Sequence, residues 1–425
     1  MAIPGVTTII RDRFYTVSRT DTPAGPRIVV IAKRNSGATN SAAVADLDVV
    51  RASNEADVIS AFGDGSGLHK AFIELVTAGA ERVYLVPLPA DTVFNHTNAT
   101  ITSTTFGGTA AELLSAAFAA AEAAQPDILV AWGRGGNDTD WESPASTPTD
   151  AEEFGFHANN SSTYSTNWAY KVGLAVQDIA QNTNPCIAVM GIKPYAPQNA
   201  SGAGAEKMTP GQVSSHLALS TLPDRDADDE WKQVGPYVCV VAAEVKPVGY
   251  TSGTTNFGYS NGACSLAATM SRLASYSSII NKPLYNVESL RYTPSRTQQT
   301  SLSDKGVNTV LINFNKVSVF GEGLTFAQPA SDYTRLSTRR IINDATNLVR
   351  QVCQKFIGEP SNIQVRNSME TAITSAMRGM QLTGALLGSD FTVSYIPNQN
   401  KAIVDLVLTP AFELKTIEVQ VAINL

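Results

Sequence analysis

Ile28-Val29-Val30-Ile31-Ala32 is apolar at every position, with Pro26 and Arg27 before it and Lys33 and Arg34 after it. Successive side chains of a strand point to opposite faces, so an uninterrupted apolar run suits a strand covered on both sides, as in a parallel sheet. Four more such runs follow: RVYLVPL (Arg82 to Leu88), DILVAW (Asp127 to Trp132), CIAVMGI (Cys186 to Ile192) and YVCVVAA (Tyr237 to Ala243). Helical periods are expected at Leu68 to Ala78, Ala110 to Ala124, Trp168 to Gln181, Thr209 to Leu219 and Ala263 to Tyr276. This alternation predicts an α/β fold with a mixed, largely parallel central sheet flanked by helices.

Outward from this body the patterns change. At the N-terminus Val6, Thr8 and Ile10 alternate with Thr7, Ile9 and Arg11, which predicts a short strand; the polar stretch with Pro23, Gly25 and Pro26 sets it apart from the body as an arm. Toward the C-terminus, LSDKGVNTVLINFNKVSVFG predicts two strands around Asn315. Ser337 to Ile357 reads as a long amphipathic helix that Gly358 and Pro360 end, and Asn362 to Gly379 as a second. Strands are expected at Phe391 to Ile396, Lys401 to Leu408 and Glu413 to Ile423. In the last, Ile417, Val419, Val421 and Ile423 share one face and Thr416, Glu418 and Gln420 the other; about ten residues at roughly 3.3 Å each reach some 30 Å. The expected organisation is an N-terminal arm and linker (1–26), an α/β domain (27–280) with exposed loops near 133–166 and 194–207, an α+β C-terminal domain (281–412) and a C-terminal arm strand (413–425).

The bulk numbers narrow the function. With 425 residues, 43% hydrophobic and 16% charged, the chain can bury cores for more than one domain. A net charge of -7 argues against nucleic-acid binding, since no basic stripe exists to displace counterions. Cys186, Cys239, Cys264 and Cys353 show no CxxC spacing and are expected to be buried thiols of a reducing cytoplasm. No signal-peptide pattern and no apolar run near the roughly 18 residues of a membrane span is present, so membrane insertion is not expected.

Sites for chemistry are scarce. GDGSG (Gly63 to Gly67) lacks the GxxxxGK[ST] pattern of a phosphate loop and is expected to cap the helix at Leu68. GRGGND, from Gly133, follows a strand, but the polar residues after it cannot open a helix, as a dinucleotide loop would. His69, His96, His157 and His216 stand singly, without metal-ligand spacing. There is no GxSxG elbow. The acidic run Pro223 to Trp231 could hold a cation, but solvated loops use such runs more often. No catalytic residue, cofactor or metal is expected.

In this setting the order of several short motifs resembles that of contractile phage tail sheath proteins. At the front these are PGV (Pro4 to Val6), PRIVVIAKRNSG and FGDGSGLHKAFIELVTAGAERVYLVPL. In the last third they are GVN (Gly306 to Asn308), VSVFGEGLTF, the Arg339–Arg340 pair, FIGEPSN (Phe356 to Asn362), TGAL (Thr383 to Leu386) and the terminal strand pair. The chain departs from the family's frequent GxRT at Gly321 to Thr325 and has no large insertion domain in its middle.

The resemblance implies a non-enzymatic subunit of a virion's contractile tail, assembled in the host cytoplasm. Copies would stack as hexameric rings into a helical sheath around an inner tail tube, ending at baseplate and terminator proteins. Contraction by rigid-body subunit rotation would then drive the tube through the host envelope. Residues Val6, Thr8, Ile10, Ile417, Val419, Val421 and Ile423 are the expected strand-exchange arms. The cationic side chains Arg339, Arg340, Arg350 and Lys355 are candidates for an acidic tube surface, with ordinary solvated charges as the alternative. The runner-up is the sheath of a phage-like bacteriocin or other contractile injection particle, which sequence does not separate from it, and an α/β nucleotide-binding or enzyme module is the other class, without a convergent acid/base or phosphate-binding set to carry it.

Overall fold

Strand β1 (Ile28–Lys33) has the burial its composition demands: Ile28 to Ile31 are fully buried. Its side chains alternate between two core layers, Val29 and Ile31 on one face and Ile28 and Val30 on the other. The computed structural model describes residues 25–35, 44–95, 100–131, 167–192, 230–248, 251–252, 255–256, 260–396, 398, 400–411 and 413.

The other strands of the central sheet are β2 (Val50–Ala52), β3 (Val83–Leu88), β4 (Ile128–Ala131), β5 (Ile187–Gly191), β6 (Val238–Ala242), β7 (Val307–Ile312) and β8 (Ser318–Phe320). They form one eight-stranded sheet in the order β8-β7-β6-β5-β4-β1-β3-β2. From β7 to β3 neighbouring strands run parallel, while β2 and β8 are antiparallel edges. All five runs read as buried strands are thus strands of this sheet.

Helices cover both faces. One core layer is filled by α3 (Ala110–Ala123) and α4 (Trp168–Asn182), the latter through Trp168, Val172, Val176 and Ile179 on successive turns. The opposite layer holds α1 (Glu55–Phe62), α2 (Gly67–Thr77) and α5 (Ala263–Arg272). Local chemistry starts these helices where they start. Ser66 caps α2 by accepting from His69 N–H at 3.1 Å, which is the capping role expected of GDGSG. Thr109 and Glu112 form a reciprocal capping box at α3.

Two expectations are corrected. The strands around Asn315, assigned to the domain beginning at 281, extend the central sheet instead: β7 pairs with β6 in parallel register, Val307 opposite Val240. Buried Asn308 enforces this join, its Nδ2 donating to Val240 O (2.9 Å) and Leu324 O (2.8 Å) while Oδ1 accepts from Leu324 N (2.7 Å). The C-terminal unit therefore begins near α6 (Leu336–Gln354). The helix expected to reach Tyr276 ends at Arg272, where Leu273 turns extended.

After α6 the chain turns through Gly358, whose φ of 89 suits glycine, into α7 (Ile363–Leu382). Asn362 caps α7 by accepting from Val365 N–H. A hairpin, β9 (Leu386–Ile396) and β10 (Lys401–Pro410), completes the unit. A third apolar cluster sits between α6, α7 and the hairpin, with Ile341, Val349, Met377, Leu386 and Val404 among its members.

Asn308→Ala should strip partners from three buried backbone groups and lower the unfolding free energy by roughly 2–4 kcal/mol, as read by urea denaturation.

Candidate assembly site on the C-terminal hairpin

A strand edge offers a row of unpaired N–H and C=O groups, and proteins ordinarily shorten or cover such edges. The central sheet follows that rule. Edge strand β2 is three residues long with the exposed cation Arg51 at its centre; β8, also of three residues, is flanked by bridges from Ile280 to Phe320 and from Pro283 to Val319.

The C-terminal hairpin does not. Strands β9 and β10 are 11 and 10 residues long and pair along their whole length, from Leu386 opposite Pro410 to Ile396 opposite Lys401, with one irregularity between Leu386 and Gly388. Among the described residues neither strand has a second neighbour. Phe391 opposes Leu406, Val393 opposes Val404 and Tyr395 opposes Ala402, all packed toward α6 and α7. Of these six, Val404 is buried and the others are half-buried. The outward face carries Asp390, Thr392, Asp405, Val407 and Thr409 in the open. A lone two-stranded sheet is marginal by itself. This one is steadied by its helices: Arg366 stacks over the Tyr395 ring at 4.2 Å, and the Tyr395 hydroxyl donates to Glu370 Oε1 at 3.4 Å. Ala411 N–H closes the base by donating to Ala385 O at 3.0 Å.

The expected arm residues Val6, Thr8, Ile10, Ile417, Val419, Val421 and Ile423 lie outside the described residues, as do the expected loops near 133–166 and 194–207 and the helix expected at Thr209 to Leu219. The four basic candidates are described, and three are corrected. Arg350 is 1% exposed, its guanidinium donating to Ala180 O (3.1 Å) and Thr183 O (3.3 Å) at the C-terminal end of α4. Arg340 donates to Met270 O (2.7 Å) and Leu273 O (2.6 Å) at the end of α5. Arg339 is 3% exposed and lies 4.0 Å from the Tyr237 ring centre and 5.5 Å from that of Tyr333. Cations suit helix C-termini, where last-turn carbonyls lack partners and the dipole is negative. Burial pushes Arg340 and Arg350 down to about 10, which still leaves both charged at neutral pH. These arginines bolt α6 to the α/β body, and only Lys355 stands exposed.

The signal for this was in the spacing. Leu336, Arg339, Asn343, Thr346 and Arg350 recur at steps of three and four, one buried stripe, while Ile341, Ala345, Val349 and Cys353 form a second that faces the hairpin core. A helix buried on two sides needs its polar side chains satisfied inside.

Among the described residues no centre for chemistry competes with the hairpin. No group of three or more His, Cys, Asp or Glu side chains suited to a metal occurs among the described residues, and no described helix is long and apolar enough to cross a membrane. The four thiols are buried and none is in a disulfide, with desolvation pushing Cys239 and Cys353 up to about 12. His69, fully buried, takes Gly65 N–H on Nδ1 and faces Glu55 through Nε2, so it serves the α1–α2 turn.

Arg340→Ala and Arg350→Ala should each cost roughly 2–3 kcal/mol of stability in denaturant melts. Arg340→Lys should recover only part, since a point ammonium cannot span both carbonyls.

No protein-family model matches the sequence, and no curated protein matches it. Solved structures do. The chain is similar to the helical sheath of the anti-feeding prophage in its contracted state, with a TM-score of 0.58 and 14% identity over 99% of both chains. It is similar to the sheath complex of an extracellular contractile injection system, PVC, in its contracted state, with a TM-score of 0.58 and 13% identity over 99% of this chain and 98% of that one. It is also similar to a sheath tail protein from Listeria innocua, with a TM-score of 0.50 and 10% identity over 92% and 93%. This chain has the fold of contractile sheath proteins.

Proposed function

We propose that this chain is the sheath subunit of a contractile particle. Copies polymerise helically around an inner tube, as stacked sixfold rings in the family's manner, by adding their terminal strands to the hairpin of neighbouring copies. The observation that carries this is the hairpin itself: two long edges without a neighbour among the described residues, over a half-covered apolar face, in a protein that keeps the edges of its larger sheet short. An arriving strand satisfies the open backbone groups, and its alternate apolar residues set the register. The runs Val6 to Ile10 and Ile417 to Ile423 have the required alternation.

Each copy gives arms to neighbours and receives theirs, a heterologous contact that makes a helix where it does not close. Contraction then turns subunits as rigid bodies between two packings, with the arms as tethers, and drives the tube through an envelope. Three arginines locking α6 to the body support the rigid-body part. The tube, a baseplate and a terminator are the further partners, and Lys355 is the remaining basic candidate for the tube. No nucleotide, metal or nucleic acid enters this mechanism. Similarity to injection-particle sheaths supports such a particle alongside a phage tail.

Negative-stain microscopy of the purified chain, intact and lacking its first 20 residues, tests the assignment. Hollow, helically striated tubes are expected from the intact chain and monomers from the truncated one. Normal tubes from the truncated chain would overturn strand exchange by the N-terminal arm, and monomers from both would overturn the sheath assignment.

A further inference from the structure

Just past the hairpin the fold leaves a carboxylate unanswered. Both Oε1 and Oε2 of Glu413 are enclosed, with less than 1 Å² of each accessible, and neither has a hydrogen-bond partner. Among the described residues it is the one carboxylate with both oxygens in that state. Buried Glu244, by contrast, meets Arg291 at 2.9 Å. An enclosed carboxylate is costly unless a donor or a cation reaches it.

Its place is fixed by the chain. Ala411 N–H donates to Ala385 O at the base of the hairpin, and two residues reach at most about 7 Å. Glu413 therefore stays at the base end, where Leu386 faces Pro410, and away from the tip at Ile396 and Lys401. Two open oxygens of one carboxylate match the two parallel N–H groups of a guanidinium, whereas an ammonium offers a point charge. The chain holds two arginines where they could serve: Arg11 and Arg13 share one face of the N-terminal run, directly past Val6, Thr8 and Ile10.

Strand polarity selects the edge. Strand β9 runs from base to tip, so an arm laid antiparallel along its free edge starts toward the tip with Val6 and brings Arg11 to the base. Reversed, the arm would carry both arginines to the tip; parallel to β10 it would form the weaker kind of ladder. From Val6 to Arg11 is about 20 Å at 3.3 Å per residue, within the 11 residues of β9. We infer that Glu413 is the receptor for the Arg11–Arg13 end of another copy's N-terminal arm, and that this ion pair fixes the direction and register in which the arm joins β9. An enclosed pair suits the task, since a slipped or reversed arm leaves a buried charge open. This rests on the strand exchange proposed above.

The test reads the critical concentration for tubes in full-length chains. Glu413→Arg, and the arm variant Arg11→Glu with Arg13→Glu, should each raise it about thirtyfold or more; both changes in one chain should bring it back to within about threefold. An equal mixture of the two variant chains should assemble about tenfold better than either alone, because each arm then finds a complementary copy. Below the critical concentration, Glu413→Gln should leave the urea midpoint of the monomer unchanged or raise it, since it removes an unpaired charge. Variants that assemble like the unaltered chain, a combination no better than its parts, or rescue within one chain but not in the mixture would overturn the inference. So would a lowered urea midpoint for Glu413→Gln, which would reveal a partner in the same copy. Failure of the unaltered chain to form tubes, or normal tubes without its first 20 residues, sinks the assembly reading instead, a separate result.

Discussion

A backbone N–H or C=O group in a strand must find a partner or stay in water, and most of this molecule can be understood as a set of answers to that requirement. In the central sheet the answer is internal: inner strands pair on both sides, and the short strands β2 and β8 close the ends. The C-terminal hairpin leaves two edges, each ten residues long or more, without a neighbour among the described residues. A protein that protects one sheet and exposes another invites strands from elsewhere to the second.

The helix between the two sheets decides what such an invitation can transmit. Were α6 held by apolar contacts alone, the hairpin could slide or rock on the body. Arg340 and Arg350 instead fasten it to carbonyls at the ends of α5 and α4, and Arg339 stacks on Tyr237. Buried guanidinium groups are tolerated because each meets acceptors or a ring face, and those directional contacts fix the angle between hairpin and body. On the proposed assembly, a pull on a strand added to the hairpin would be passed to the α/β body.

The central sheet was legible because strands buried on both faces are apolar at every position, as Ile28 to Ile31 and Val238 to Ala242 are. The hairpin strands were legible from alternation, Phe391, Val393 and Tyr395 against Thr392 and Ser394. Helix α1 and the helix Arg296–Asp304 escaped, the latter because RTQQTSLSD has almost no apolar period and is secured by a capping box between Ser295 and Gln298. The division at 281 failed because a strand's partners are set by long-range pairing, here enforced by Asn308, which no local pattern announces. The arginines were misplaced because a charge in a sequence reads as surface, and only the three-and-four spacing with Leu336, Asn343 and Thr346 hinted at burial. The acceptor was recognisable as two strands, but that its edges have no neighbour among the described residues is a property of the folded chain.

The central claim is that the bare edges of β9 and β10 are where copies join, and hydrogen–deuterium exchange over 386–410 tests it most directly. Backbone amides along those edges should exchange fast in an arm-truncated monomer and become strongly protected in assembled tubes, while the inner amides of the hairpin ladder and the strands β1 and β4 stay protected in both. Unchanged fast exchange along the hairpin edges in assembled tubes would contradict it.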